Sequence, residues 1–207
     1  PLALSVNQAG GFVRSRPDVE RPDLQLYFAT LSYTRAVAGE RALMSPDAFP
    51  GFALSAQPCR PTSRGHVQLR ANDVHAPPLI VPNSLATEHD LDLMVEGSRF
   101  MRRLAATPAL AAVIDAELQP GPQVRTRDEM VDDIRRRASP VFHPVSTCRM
   151  GPDAALAVVD HRLKVHGLAG LRVIDASVFP AVTSGNTNAP TVMVAEKGAD
   201  LVLADCR

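Results

Sequence analysis

A helix that is apolar around much of its circumference has to be enclosed by other chain. Residues 190–203 (PTVMVAEKGADLVL) read as such a helix. Val192, Met193, Val194, Ala195, Leu201 and Val202 spread over several of its faces, so no single stripe accounts for them. Pro190 falls in the first turn, where a missing N–H has no intrahelical acceptor to lose. The C-terminal part of the sequence is therefore expected inside a larger body. At 207 residues the chain has room for one large or two small domains, taking roughly 150 residues per domain. Hydrophobic residues at 45% and charged residues at 21% favour a folded chain over a disordered one.

Charge removes several classes of partner. Lys+Arg and Asp+Glu are both 22, so there is no net charge to support a nucleic-acid interface or polybasic docking on an anionic membrane. No apolar run approaches the roughly 20 residues of a membrane span. Residues 1–20 lack the basic start and apolar core of a secretory signal. Cys59, Cys148 and Cys206 are sparse and odd in number, which argues against a disulfide framework. The expected setting is reduced and cytoplasmic, with peripheral membrane association left open. Pro1 in place of Met suggests a processed or partial chain.

The pattern divides near residue 140. Before it, Leu24–Phe28 (LQLYF) alternates as a half-buried strand does, and 51–60 and 66–70 behave similarly. Gly10-Gly11 reads as a turn, and Pro61–Gly65 as a turn-rich linker. Such spacing suits an antiparallel sheet, not a βαβ alternation. Thr87 with Asp90, and Thr126 with Glu129, mark two helix starts with capping-box spacing. The arginines late in these helices (Arg99, Arg102, Arg103, then Arg135–Arg137) complement the helix dipoles and read as solvated faces. After residue 140, 155–160 (ALAVVD) and 171–175 (LRVID) read as short strands.

Two segments carry residues suited to chemistry. In HPVSTCRMG (143–151), His143 precedes a proline that extends its backbone, and it stands on a polar, turn-rich loop suited to proton transfer. Its spacing alone fits a capping or surface histidine as well. In 175–190, Asp175-Ala176-Ser177 is followed by a run of small polar residues, Thr183 to Asn188, leading into the last helix. That helix start offers unpaired N–H groups to an anionic atom, although on these residues alone the favoured reading is that Asn186, Thr187 and Asn188 merely cap the helix. Cys148 beside His143 is read as an inert thiol. His161 and His166 have no zinc-site spacing around them, so no metal is expected. No GxSxG, P-loop or GxGxxG occurs.

Taken together, HPVSTCRMG (143–151), VVDHRLKVHGLAGLRVIDASVFP (158–180) and TSGNTNAPTVMVAEKGADLV (183–202) resemble the C-terminal region of the glucose–methanol–choline oxidoreductase family. These are flavin-dependent alcohol oxidases and dehydrogenases. GGFVRS (10–15), RPDLQLYF (21–28), RPTSRGHVQL (60–69) and PPLIVPNSL (77–85) are similar to the family's substrate-domain segments, so the resemblance covers essentially the whole chain.

The resemblance implies a fold and a site. The fold would be an α+β substrate-binding domain (antiparallel sheet with helices) over about 1–140. Residues 141–207 would complete a Rossmann-like α/β FAD-binding domain. The family's glycine-rich N-terminal unit is not in this sequence, so it is expected on a separate or cleaved polypeptide, or to be missing. His143 would be the catalytic histidine and Asn186 its partner, with a shift to Asn188 left open. Asp175 and Ala176 would contact the flavin, and Asn188, Ala189 and Pro190 would approach its ring with the helix start.

Oxidation of an alcohol would send a hydride to flavin N5 and the hydroxyl proton to His143, with Asn186 fixing the oxygen. Oxygen or a quinone-type carrier would reoxidise the flavin. Two alternatives accompany this reading: a hydroxynitrile lyase on the same scaffold, and a fragment inactive without its FAD-binding part.

Overall fold

The computed structural model describes residues 7–34 and 46–206. They form two compact units. One holds the described residues up to Cys59 together with Leu85–Ala138, and the other holds Arg60–Ser84 with the described residues from Ser139 onward. The units differ from a simple cut at residue 140. Segment 60–84, which its strand-like pattern groups with the residues before it, packs with 139–206.

In the first unit, β1 (Asn7–Val13), β2 (Leu24–Ala29) and β3 (Ala53–Pro58) make an antiparallel sheet in chain order. Gly10 and Gly11 lie within β1, opposite Tyr27 and Leu26, and do not form the expected turn. The reason is close approach: a Cβ on Gly10 would stand 2.5 Å from the Leu26 carbonyl oxygen. Helix α1 (Glu88–Ala105) packs on β3. It comes close because Gly97 has no side chain; a Cβ there would meet Ala56 at 3.0 Å and Leu24 at 3.5 Å. A short helix α2 (Pro108–Ala111) and helix α3 (Arg127–Arg137) follow. Leu91 and Val95 of α1 share a core with Val124, Met130, Val131 and Ile134.

Both expected helix starts are present. The Thr87 hydroxyl accepts from Asp90 N, and the Thr126 hydroxyl accepts from Glu129 N at 3.2 Å. Glu129 closes the box by accepting from Arg125 N at 2.8 Å and Thr126 N at 2.9 Å. Those backbone donors hold its carboxyl below the usual range. Replacing Thr126 by alanine is expected to lower stability by about 1 kcal/mol, read from a denaturant midpoint.

One of the late arginines does more than line a solvated face. Arg102 grips Glu117 at 2.8 Å and donates to the carbonyls of Val124 (2.6 Å) and Gly121 (2.9 Å). It thereby ties the end of α1 to the chain leading into α3. Arg99 pairs with Glu96 at the surface of its own helix, and Arg137 pairs with the buried Asp133 of its own.

In the second unit, β4 (His66–Gln68) pairs with β5 (Leu79–Val81). The expected strands at 155–160 and 171–175 do not form. Only isolated bridges occur, Val159 with Met150 and Val165, and Arg172 with Lys164. Asp160 accepts from the amides of Arg162 (2.8 Å) and Lys164 (2.9 Å), which closes a turn just where a strand would continue. Burial works against the charge on Asp160, but those amides outweigh it and its pKa lies below the ordinary value. Leu163 (φ 64°) and Gly167 (φ 75°) bend the chain again. The core gathers Val159, Leu163, Val178, Phe179 and Val194.

Helix α4 (Asn188–Asp205) covers the expected C-terminal helix. Its predicted enclosure is not supplied by the described residues: only Val194 and Gly198 are buried, whereas Val192 and Met193 are more than half exposed. Gly198 seats the helix, because a Cβ there would stand 2.5 Å from Ile174 Cγ2. The far end is fixed by Asp205, which pairs with Lys164 at 2.5 Å and with Arg162 and Arg172 at 2.6 Å. No described helix is long and apolar enough to cross a membrane.

The hydrogen bonds from Lys164 and then Arg172 hold the Asp205 carboxyl far below the ordinary carboxylate range. A carboxyl whose folded pKa is depressed adds stability above its unfolded pKa of about 3.9 and loses it as pH falls towards the folded value. Acidification below about pH 4 is thus expected to lower the unfolding midpoint more steeply in the parent protein than in Asp205→Asn. Parallel slopes in acid titrations of the two proteins would count against the assignment.

Candidate active site

The loop that carries His143 is held by its backbone. Cys148 N donates to Ser177 O at 3.0 Å and Met150 N to Val178 O at 2.8 Å, tying it to a single 3-10 turn at Ala176–Val178. Phe142 (φ 59°) and Ser146 (φ 75°) occupy the left-handed region on either side of His143. Few non-glycine residues adopt that conformation, and such strain gathers at functional sites.

Both ring nitrogens of His143 are engaged by the segment that opens α4. Nε2 lies 3.0 Å from Asn186 Nδ2, and Nδ1 lies 2.9 Å from Thr187 Oγ1. The Asn186 amide nitrogen has only hydrogens to offer, so Nε2 accepts. The ring proton then sits on Nδ1 and is donated to the Thr187 hydroxyl. A lone pair at Nε2 beside an amide donor is what a hydroxyl group needs if it is to lose a proton while its oxygen is held.

The other expected site residues make no hydrogen bond to this pair. Asp175 is exposed and caps the 3-10 turn, with Oδ1 accepting from Ser177 N at 2.7 Å. Ala176 packs against the core of the unit. Asn188 and Ala189 are exposed at the start of α4, and Pro190 has no N–H. It is Asn186, not Asn188, that meets His143. Cys148 takes no hydrogen bond from the ring, and His166 Nε2 is occupied by the Gly151 carbonyl at 3.0 Å. Among the described residues no group of three or more His, Cys, Asp or Glu could hold a metal ion.

Thr187 was not a site candidate from the sequence. Its type and place announce a helix cap, and nothing in the spacing shows that its hydroxyl turns to a ring forty-four residues earlier. Arg60 is a second unexpected neighbour. It donates to Ser184 Oγ at 2.8 Å and so braces the loop before Asn186.

Comparison with known proteins shows the family of the chain. The model of the family described as GMC oxidoreductase matches residues 61–195, and the chain belongs to that family. It is 40% identical over 202 residues to an alcohol dehydrogenase [acceptor] of Pseudomonas putida, covering 98% of this chain and 35% of that protein. It is 40% identical over 196 residues to the mitochondrial choline dehydrogenase of Mus musculus, covering 94% of this chain and 32% of that protein. Pyridoxine 4-oxidase from Mesorbium loti superposes with a TM-score of 0.82 at 28% identity, over 94% of this chain and 37% of that one. Formate oxidase of Aspergillus oryzae, a structure described in terms of FAD modification, gives 0.81 at 28% identity over 90% and 32%. The chain thus spans about a third of the length of the curated relatives it matches.

Proposed function

We propose that this chain forms the substrate-facing and catalytic part of an FAD-dependent enzyme that oxidises an alcohol to an aldehyde. The observation that carries the reading is the pairing of His143 Nε2 with Asn186 Nδ2 at 3.0 Å, with Nδ1 tied back to Thr187. An alcohol oxygen placed within hydrogen-bond reach of both nitrogens completes a triangle on that edge. It displaces the Asn186–His143 hydrogen bond, accepting from Asn186 and donating its own proton to the Nε2 lone pair so released. As the carbon loses its hydride, the hydroxyl proton passes to Nε2, leaving a carbonyl held by Asn186 and an imidazolium held by Thr187. The same group then releases the proton to water.

The residues present suit a flavin. Thr187 leaves the start of α4 without a side-chain cap, so the backbone N–H groups of Asn188 and Ala189 remain as donors next to the positive end of the helix dipole. Both residues are exposed, and that donor set fits the acceptor-rich edge of an isoalloxazine ring. Bound FAD supplies the acceptor for the hydride. Asp175 lies exposed at its turn, open to the same cofactor. The glycine-rich unit that binds the ADP part of FAD would come from another domain or polypeptide, and the chain alone would be inactive. Relatives named choline dehydrogenase and alcohol dehydrogenase [acceptor] support an alcohol as substrate. Oxygen or a quinone-type carrier would take the electrons.

The test is anaerobic mixing of the flavin-loaded full-length protein with a panel of primary alcohols. Bleaching of the flavin band with one aldehyde formed per flavin is expected. Aldehyde and cyanide released from a cyanohydrin while the flavin stays oxidised would overturn the reading in favour of a lyase.

A further inference from the structure

The two other threonines at the N-cap positions of long helices, Thr87 and Thr126, use their hydroxyls as caps. Their backbones are extended, at φ −101°, ψ 145° and φ −75°, ψ 162°, which points the side chain at the amides of the first turn. Thr187 holds the same position on α4 but has a helical backbone, φ −81°, ψ −9°, and makes no side-chain cap. Its hydroxyl goes to His143 Nδ1 instead. The helix end thereby forgoes its side-chain cap, and the hydroxyl bonds to the ring instead.

The Thr187 hydroxyl is well placed to control that ring. Thr187 is 8% exposed, so little water competes for Nδ1. Its carbonyl is fixed by Thr191, which donates both N (3.0 Å) and Oγ1 (2.6 Å) to it. The acceptor for Nδ1–H therefore sits on the first turn of an 18-residue helix and not on a free loop. Asn186 and Thr187, adjacent in sequence, address opposite nitrogens of one imidazole.

We infer that Thr187 is a positioning residue that holds His143 as the Nδ1–H tautomer and so keeps the Nε2 lone pair available to the substrate hydroxyl. This deepens the proposed oxidation and rests on it only for the kinetic consequence; the tautomer itself is a property of the resting protein. With Nδ1–H donated to Thr187, the ring neither flips nor moves its proton to Nε2. Without the hydroxyl, part of the population carries its proton on Nε2, where it cannot accept another.

The experiment compares the flavin-loaded full-length protein with Thr187→Ser and Thr187→Val, each labelled with 15N-histidine. Long-range 1H–15N correlation reads the tautomer of neutral His143, and anaerobic stopped flow reads flavin reduction. The parent protein and Thr187→Ser are expected to show Nδ1–H and similar rates. Thr187→Val is expected to show a mixture of tautomers and about tenfold slower reduction, with KM little changed. If Thr187→Val does not fold, Thr187→Ala removes the same hydroxyl with less bulk and carries the same expectation. A pure Nδ1–H signal in the folded variant lacking the hydroxyl would overturn the inference. Should His143→Ala leave reduction intact while the tautomer still follows Thr187, the fault lies with the oxidation mechanism and not with the positioning.

Discussion

Replacing His143 by alanine is expected to slow anaerobic flavin reduction by about 10²–10⁴-fold while flavin content and the unfolding midpoint stay near those of the parent. The first part follows from chemistry. An alcohol hydroxyl holds its proton tightly at neutral pH, and His143 Nε2, which faces Asn186, is the ring nitrogen placed to take it. The second part follows from position. His143 is only half-buried and belongs to neither hydrophobic core, so its removal leaves no cavity of the kind that destabilises a domain. His143→Asn is the sharper variant, because it keeps a side chain that can hydrogen-bond while removing the base. A rate within severalfold of the parent in either variant would exclude His143 as the proton acceptor.

Signals in this sequence are legible where the physics is local. Thr87 with Asp90, and Thr126 with Glu129, place donors and acceptors three residues apart, so each cap is made within its own first turn. The strand expected at 24–28 forms, with Leu24 fully buried against α1, but its burial does not alternate, since neighbouring Gln25 is buried as well. The readings that failed depended on something outside the window. Gly10-Gly11 looks like a turn by composition, but the requirement on Gly10 comes from the Leu26 carbonyl across the sheet. Residues 155–160 are apolar enough for a strand, yet Asp160 spends its carboxylate on two amides that follow it and turns the chain.

The apolar circumference of α4 contains information of a different kind. A periodic pattern tells how much of a helix must be covered, not what covers it. The described residues cover the side at Val194 and Gly198 and leave Val192 and Met193 open. In the site, the resemblance brought His143 and Asn186 together as a pair, and the fold sets them 3.0 Å apart. Thr187 was hidden because a threonine before a helix is explained so fully by capping that no second purpose is sought. Only its backbone angles, which no propensity reports, reveal that the cap is not made.

Asn186→Ala is expected to lower the rate of flavin reduction by about 10²–10³-fold, the usual consequence of losing one donor aimed at a reacting oxygen in a pre-organised site. The size depends on when the bond matters most. The oxygen gains negative charge as its proton moves to His143, before the carbonyl is complete, so the Asn186 hydrogen bond strengthens towards the transition state and its loss falls on kcat more than on KM. Asn186→Asp separates this from a steric effect, because it keeps the shape but replaces a donor with a carboxylate. That carboxylate would repel the charge developing on the oxygen and would also favour a protonated His143, so the variant is expected to be slower than Asn186→Ala at neutral pH. Asn186→His restores a ring N–H donor and is expected to recover part of the loss. If Asn186→Asp reduced flavin faster than Asn186→Ala, Asn186 would be acting on the charge of His143 and not on the substrate oxygen.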